Sequence, residues 1–149
     1  MQVERNSVVT DSVELTIASL IPGIFQYGTT NRAVVLNQDQ TINSAANPAK
    51  RGSVITFWAT GLGLMEPSVS DGSVASSHEL SRAKTPVIVS FFGWPADVLY
   101  AGSAPGFVAG TVQINARVPK QMGPFDYPVD LVLSSNATYA PGRVTVNVR

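Results

Sequence analysis

The sequence predicts an all-β fold, an antiparallel sandwich of seven to eight short strands with one long irregular loop. Three observations carry this reading. The chain has 20 Val, 7 Ile and 11 Thr against 4 Glu and 3 Lys. Side chains branched at Cβ lose rotamer freedom in a helix and pack well on a pleated surface. Ten Pro and twelve Gly, spread along the chain, cut it into short pieces. Apolar and polar residues alternate with period two in segment after segment, and no amphipathic helical pattern of roughly 10–15 residues separates them, which disfavours parallel βαβ units. A small barrel satisfies the same observations, but the clean succession of hairpins favours the sandwich.

At 149 residues the chain fits one domain with a short lead-in. Residues 1–12 read as a lead-in strand or linker from a preceding domain, with Val3 to Thr10 as a weak strand. Residues 13–149 read as the β-sandwich domain. Its first strand is predicted where Val13, Leu15 and Ile17 alternate with Glu14, Thr16 and Ala18, ending at Pro22-Gly23. Ala33 to Leu36 is a brief strand. Asn37 to Thr41 is a polar turn, and Ile42 begins its return. Ser53 to Thr60 (SVITFWAT) is the strongest strand signal. Glu66 to Thr85 is the long irregular stretch, with one helical turn expected near Glu79 to Arg82. Pro86 to Phe92 should bury Val87, Val89 and Phe91, turn at Gly93-Trp94-Pro95, and return over Ala96 to Ala101. Val112, Ile114, Ala116 and Val118 should face inward, then Tyr127, Val129, Leu131 and Leu133, and finally Val144, Val146 and Val148. Asn136 to Gly142 is a turn; its Asn136-Ala137-Thr138 matches a glycosylation acceptor but reads as part of that turn.

Composition narrows the function classes. Ten basic and ten acidic residues cancel, so no basic stripe exists to displace counterions from a phosphate backbone, and no nucleic acid partner is expected. No apolar run reaches the roughly 18 residues needed to span a bilayer. The absence of cysteine excludes disulfide frameworks, thiolate zinc sites and cysteine nucleophiles. The polar opening MQVERNSVVTDS is not a signal peptide, so an exported parent would be longer than this chain.

Beyond these general features, Leu36-Asn37-Gln38-Asp39, Asn43-Ser44-Ala45-Ala46-Asn47-Pro48-Ala49, Arg51 to Thr56 and Ala59-Thr60-Gly61-Leu62-Gly63 resemble one family. The similarity continues through Pro95-Ala96, Val98 to Gly102, Ala104-Pro105-Gly106, Val108-Ala109-Gly110 and Gln113-Ile114-Asn115, and covers about Pro22 to Arg149. The family is the Solibacter-type uncharacterised C-terminal domain of exported acidobacterial proteins. The resemblance implies an immunoglobulin-like or TIG-like β-sandwich at the end of a large extracellular or cell-surface protein, with no catalytic residue to carry over. The chain departs from the pattern twice. Phe92-Gly93-Trp94-Pro95-Ala96 stands where Gly-Gly-x-Pro-Ala is expected. Asp39-Gln40 stands where Asp-Gly is expected, and Gln accepts positive φ poorly.

Candidate chemistry is sparse, and no catalytic, metal or cofactor site is expected. His78 is the lone histidine, in Ser76-Ser77-His78-Glu79; a nucleophile–base pair there would need an orienting partner, and a solvated loop is the plainer reading. Asp126, Asp130 and Asp97 alternate outward rather than converge as a glycosidase pair must. Asn37, Asp39, Thr41 and Asn43 place oxygens at every second position, as a calcium loop does, but lack its central Gly and bidentate Glu. Thr60-Gly61-Leu62-Gly63 lacks the lysine and third glycine of a phosphate loop. The aromatics Phe92, Trp94, Trp58 and Tyr100 remain as possible ligand or interface contacts, since such rings stack on sugars and anchor protein interfaces. The expectation is a non-enzymatic structural or interaction module whose partners are neighbouring domains, another protein or a polysaccharide. The alternative is a carbohydrate-binding module using the exposed aromatics.

Overall fold

The computed structural model of the chain describes residues 1–15, 17–123, 128–135, 138–139 and 144–149. Two antiparallel sheets pack against each other, and no helix occurs among the described residues. The chain opens with a small hairpin, β1 (Glu4–Arg5) with β2 (Val8–Val9). The first layer is built on β5 (Val54–Thr60), which pairs on one side with β3 (Gly23–Ile24) and β4 (Val35–Leu36). On its other side lies β10 (Val112–Arg117), and beyond β10 lies β9 (Trp94–Ser103). A short pair, β6 (Met65–Glu66) with β7 (Arg82–Ala83), flanks β9 through Arg82 opposite Gly102. The second layer contains β8 (Val87–Phe91), β11 (Val129–Ser135), β12 (Thr138–Tyr139) and β13 (Val144–Val146).

One strand serves both layers. Trp94, Pro95 and Ala96 of β9 pair with β8, and Asp97 to Ser103 pair with β10. The register slips where Asn115 faces Tyr100 but Ala116 faces Val98, which leaves Leu99 as the extra residue of a bulge. A bulge bends its strand and raises its twist, and that lets a strand cross from one sheet to the other.

The inner faces follow the alternation. Ile55, Phe57 and Ala59 of β5 meet Val112, Ile114 and Ala116 of β10 from the first layer, and Val89, Phe91, Leu133, Val144 and Val146 from the second; all are buried. The expected inward positions Tyr127, Val129 and Leu131 lie outside the described side chains, as does Asp126. Of the turn expected from Asn136 to Gly142, only Thr138 and Tyr139 fall within the described residues, and they form β12, paired with Ser135 and Ser134 of β11, rather than a turn.

Several sequence expectations are corrected. None of the described residues from Val13 to Ile21 lies in a strand. Val13, Leu15 and Ile17 are exposed, Ile17 at 95%. A period-two pattern prepares a strand to bury one face, but pairing and burial need a sheet alongside; here the backbone touches Gly61, through the Ile21 N–H, and no strand of the described residues pairs with it. The helical turn expected near Glu79 to Arg82 is absent: Arg82–Ala83 is β7, hydrogen-bonded to a segment sixteen residues upstream. The turn expected at Gly93-Trp94-Pro95 sits one residue earlier, at Phe92-Gly93, and Trp94 already opens β9.

A buried amide cluster ties the early hairpin to the C-terminal segment. Asn43 Nδ2 donates to Asn37 Oδ1 (3.0 Å) and to the Asn147 carbonyl (2.8 Å), while the Asn147 backbone N–H donates to Asn43 Oδ1 (2.9 Å). Asn37 Nδ2 donates to the Asn47 carbonyl at 2.9 Å. The three side chains are buried and satisfied, as buried amides must be.

Candidate functional site

The four aromatics singled out from the sequence do not form one site; the fold divides them into two pairs. Phe92 and Trp94 sit at the β8–β9 hairpin tip, 51% and 43% exposed. Phe92 has φ 47° and Gly93 φ 84°. Positive φ at both central residues is the two-residue hairpin geometry that matches strand twist, and it favours Asn or Gly at the first position. Gly93 meets the requirement without cost, whereas a bulky side chain in this region is an outlier. The Phe92 N–H donates to the Asp130 carbonyl at 2.8 Å, which fixes the tip against β11. The tip is thus a strained turn, tied to β11 by a backbone hydrogen bond.

Trp58 and Tyr100 lie on the outer face of the first layer. Trp58 is opposite Gln113 and Gln113 opposite Gly102; in the next row Thr56 is opposite Asn115 and Asn115 opposite Tyr100. Tyr100 is six residues from Trp94 along β9, about 20 Å at the rise of a strand, so the two pairs are separate surfaces. Tyr100 is buried rather than presented: its hydroxyl donates to the Ser103 carbonyl at 2.8 Å, and Arg82 lies over its ring at 5.1 Å. Burial pushes the Tyr100 hydroxyl pKa up, with Arg82 pulling weakly the other way. Trp58 is half-buried, with the half-exposed Phe107 against it, ring centroids 6.3 Å apart. The indole Nε1 is buried and has no hydrogen-bond partner among the described residues. Phe107, Gln113 and Asn115 were not singled out from the sequence. The alternation of Gln113 and Asn115 against Val112 and Ile114 was the available signal for the two amides, whereas Phe107 lies in a turn with no periodicity to place it.

The remaining candidates resolve into local structure. The Ser76 hydroxyl accepts the N–H groups of His78 (3.0 Å) and Glu79 (3.2 Å), so it caps its own turn, and all three side chains are exposed. No three His, Asp or Glu side chains among the described residues, Asp97 and Asp130 included, gather as metal ligands. In the Asn37–Asn43 turn, the two asparagines spend their oxygens on the amide cluster. Asp39 Oδ1 accepts from the Thr41 hydroxyl (2.6 Å) and backbone N–H (3.1 Å), which hold its carboxyl below the usual value. Gln40 completes this turn at φ 66°. At Gly61, φ is 74° and an added Cβ would lie 1.8 Å from the Ile21 carbonyl oxygen, so the glycine after β5 serves a close backbone approach. A cleft of about 600 Å³ lies beside it, lined by Ile17, Ile21, Leu62, Leu64, Met65 and Val112, with Asp71 as its titratable side chain. It includes none of the four aromatics.

No family model, no curated protein and no solved structure matches the chain.

Proposed function

We propose that the domain is a non-catalytic structural and interaction module, of immunoglobulin-like type, within a larger exported bacterial protein, and that it docks through the Phe92–Trp94 tip onto a neighbouring domain of that protein. The resemblance to the Solibacter-type C-terminal domain supplies the export and the parent. The observation that carries the docking is the geometry of Phe92, a phenyl side chain held at φ 47° with half its surface in water. That conformation costs an L-residue about 1 kcal/mol, and exposure returns little of it as burial. Two adjacent exposed aromatics, one of them in a strained turn, form the kind of surface that anchors a protein contact.

Phe92→Asn places the favoured residue in the turn. It is expected to stabilise the isolated domain by about 1 kcal/mol in urea unfolding while weakening docking. A photo-reactive phenylalanine analogue at position 92 of the full-length gene product should cross-link to another domain. A stabilised variant with no cross-link from position 92 would overturn the docking.

A further inference from the structure

We infer that the outer face of the first layer holds a second, separate site, on which Trp58, Gln113, Asn115 and Thr56 bind a neutral saccharide. This goes beyond docking at the hairpin tip and uses none of its residues. Three observations converge on it. The Trp58 Nε1–H is, among the described residues, the one buried side-chain polar atom without a partner. Such a group costs the full loss of its hydration, so natural structures seldom leave one unexplained. Next to it, in register, Gln113 Nε2 donates to Asn115 Oδ1 at 3.1 Å, and the Thr56 hydroxyl donates to the same oxygen at 3.1 Å. Asn115 Oδ1 is therefore fully used, while Gln113 Oε1 and Asn115 Nδ2 have no partner among the described residues and remain as an acceptor and a donor on the sheet surface. Finally, the two rows Trp58–Gln113–Gly102 and Thr56–Asn115–Tyr100 contain no carboxylate, and the one cation at their edge, Arg82 opposite Gly102, lies over the Tyr100 ring at 5.1 Å.

An indole beside an amide donor and an amide acceptor, without charge, complements a pyranose: its C–H face stacks on the ring, and its hydroxyls both give and take hydrogen bonds. A cationic ligand finds no carboxylate in these rows, the guanidinium of Arg82 is already laid over Tyr100, and an apolar ligand would leave the amides unpaired. Phe107 is half-exposed in a turn beyond Ala104 with its ring tilted against Trp58, so for the buried Nε1–H to reach a hydroxyl the Phe107 ring would have to move aside.

The test is titration of the chain with cellohexaose, xylohexaose, mannohexaose and laminarihexaose, followed by calorimetry and by tryptophan emission. Saturable binding of at least one is expected. Trp58→Phe, which keeps a ring and removes the N–H, should weaken it at least tenfold, as should Asn115→Ala, each with a cooperative thermal transition retained. The double variant Phe92→Ser, Trp94→Ser should bind as the parent does, so the fate of this site and the fate of the docking tip are read separately. No saturation by any of the four saccharides, binding undiminished in both Trp58→Phe and Asn115→Ala, or binding lost in the Phe92, Trp94 double variant would overturn the inference.

Discussion

Two segments of this chain carry nearly the same pattern and meet opposite fates. Val13, Leu15 and Ile17 alternate with polar residues as regularly as Ile55, Phe57 and Ala59 of β5 do. In β5 the apolar set is fully buried, between β10 on one side and β3 and β4 on the other. In the early segment the apolar set faces water and the backbone joins no ladder. Alternation states which side chains would share a face. It does not state that a second sheet stands opposite that face, and burial opposite a partner supplies the free energy.

Truncation breaks the comparison most sharply. Phe57→Ala is expected to cost about 3–5 kcal/mol and Ile55→Ala about 2–5 kcal/mol, as cavities in a core that cannot collapse. A domain of this size has about 5–15 kcal/mol in all, so Phe57→Ala should come close to unfolding it. Leu15→Ala and Ile17→Ala, the same chemistry on the same period, should change the urea midpoint by no more than about 0.5 kcal/mol. A cost above 1 kcal/mol at Ile17 would show that the segment is packed in solution.

The next largest effect concerns what holds β4 beside β5. Asn43 follows β4 and connects it, through Asn37 and Asn147, to the C-terminal segment. Asn43→Ala would leave the Asn147 N–H and the Asn37 carbonyl oxygen Oδ1 buried without their partner. The expected loss is about 1–3 kcal/mol, more than the hydrogen bonds themselves contribute, because desolvated groups are left behind. Loss of amide-exchange protection at Asn147 and Val35 in this variant would locate the damage in the junction; an unchanged urea midpoint would remove the cluster from any role in stability.

The legible and illegible parts of the fold divide along the same line. The inner faces of β5, β8 and β10 could be read because each alternates and each is buried by its neighbours. Trp58 could be placed on an outer face by its parity with Thr56. Tyr100 could not be separated from Trp94 by parity, because the Leu99 bulge shifts the phase of β9 and the strand changes layers. The β6–β7 pair was beyond local reading, since Met65–Glu66 finds its partner only after a fifteen-residue excursion. The hairpin tip was misplaced by one residue because local rules assign positive φ to glycine, and here Phe92 shares it. Gln40 and Phe92 are both among the described non-glycine residues with positive φ, so at each the turn is kept by a residue that suits it poorly.

Gln40 gives a smaller test, in the turn that follows β4. Gln40→Gly removes the strain of an L-residue at φ 66° but enlarges the entropy of the unfolded chain. At a position with positive φ the first effect exceeds the second, and a gain of about 0.5–1 kcal/mol is expected. A loss would mean that the Gln40 side chain makes a contact worth more than the strain.

The smallest effect is electrostatic and belongs to the same turn. Asp39 is fully exposed, and its carboxyl is held below the ordinary value of 3.8, first by the Thr41 hydroxyl, then by the Thr41 N–H, with a minor pull from Lys50. A carboxyl whose folded value is depressed favours the folded state above its unfolded value. That contribution fades as the pH falls below 3.8 and through the folded value. Asp39→Asn keeps an oxygen for Thr41 and removes the charge, so the variant should be slightly less stable than the parent at neutral pH. The gap should close in acid below the ordinary carboxylate range. Because the turn is solvated, the gap stays small, and salt weakens only the Lys50 part of it. A gap that persists unchanged into acid would show that the charge on Asp39 contributes nothing and that the Thr41 hydrogen bonds act through geometry alone. The turn that leads into β5's neighbour would then be held by packing, as β5 itself is.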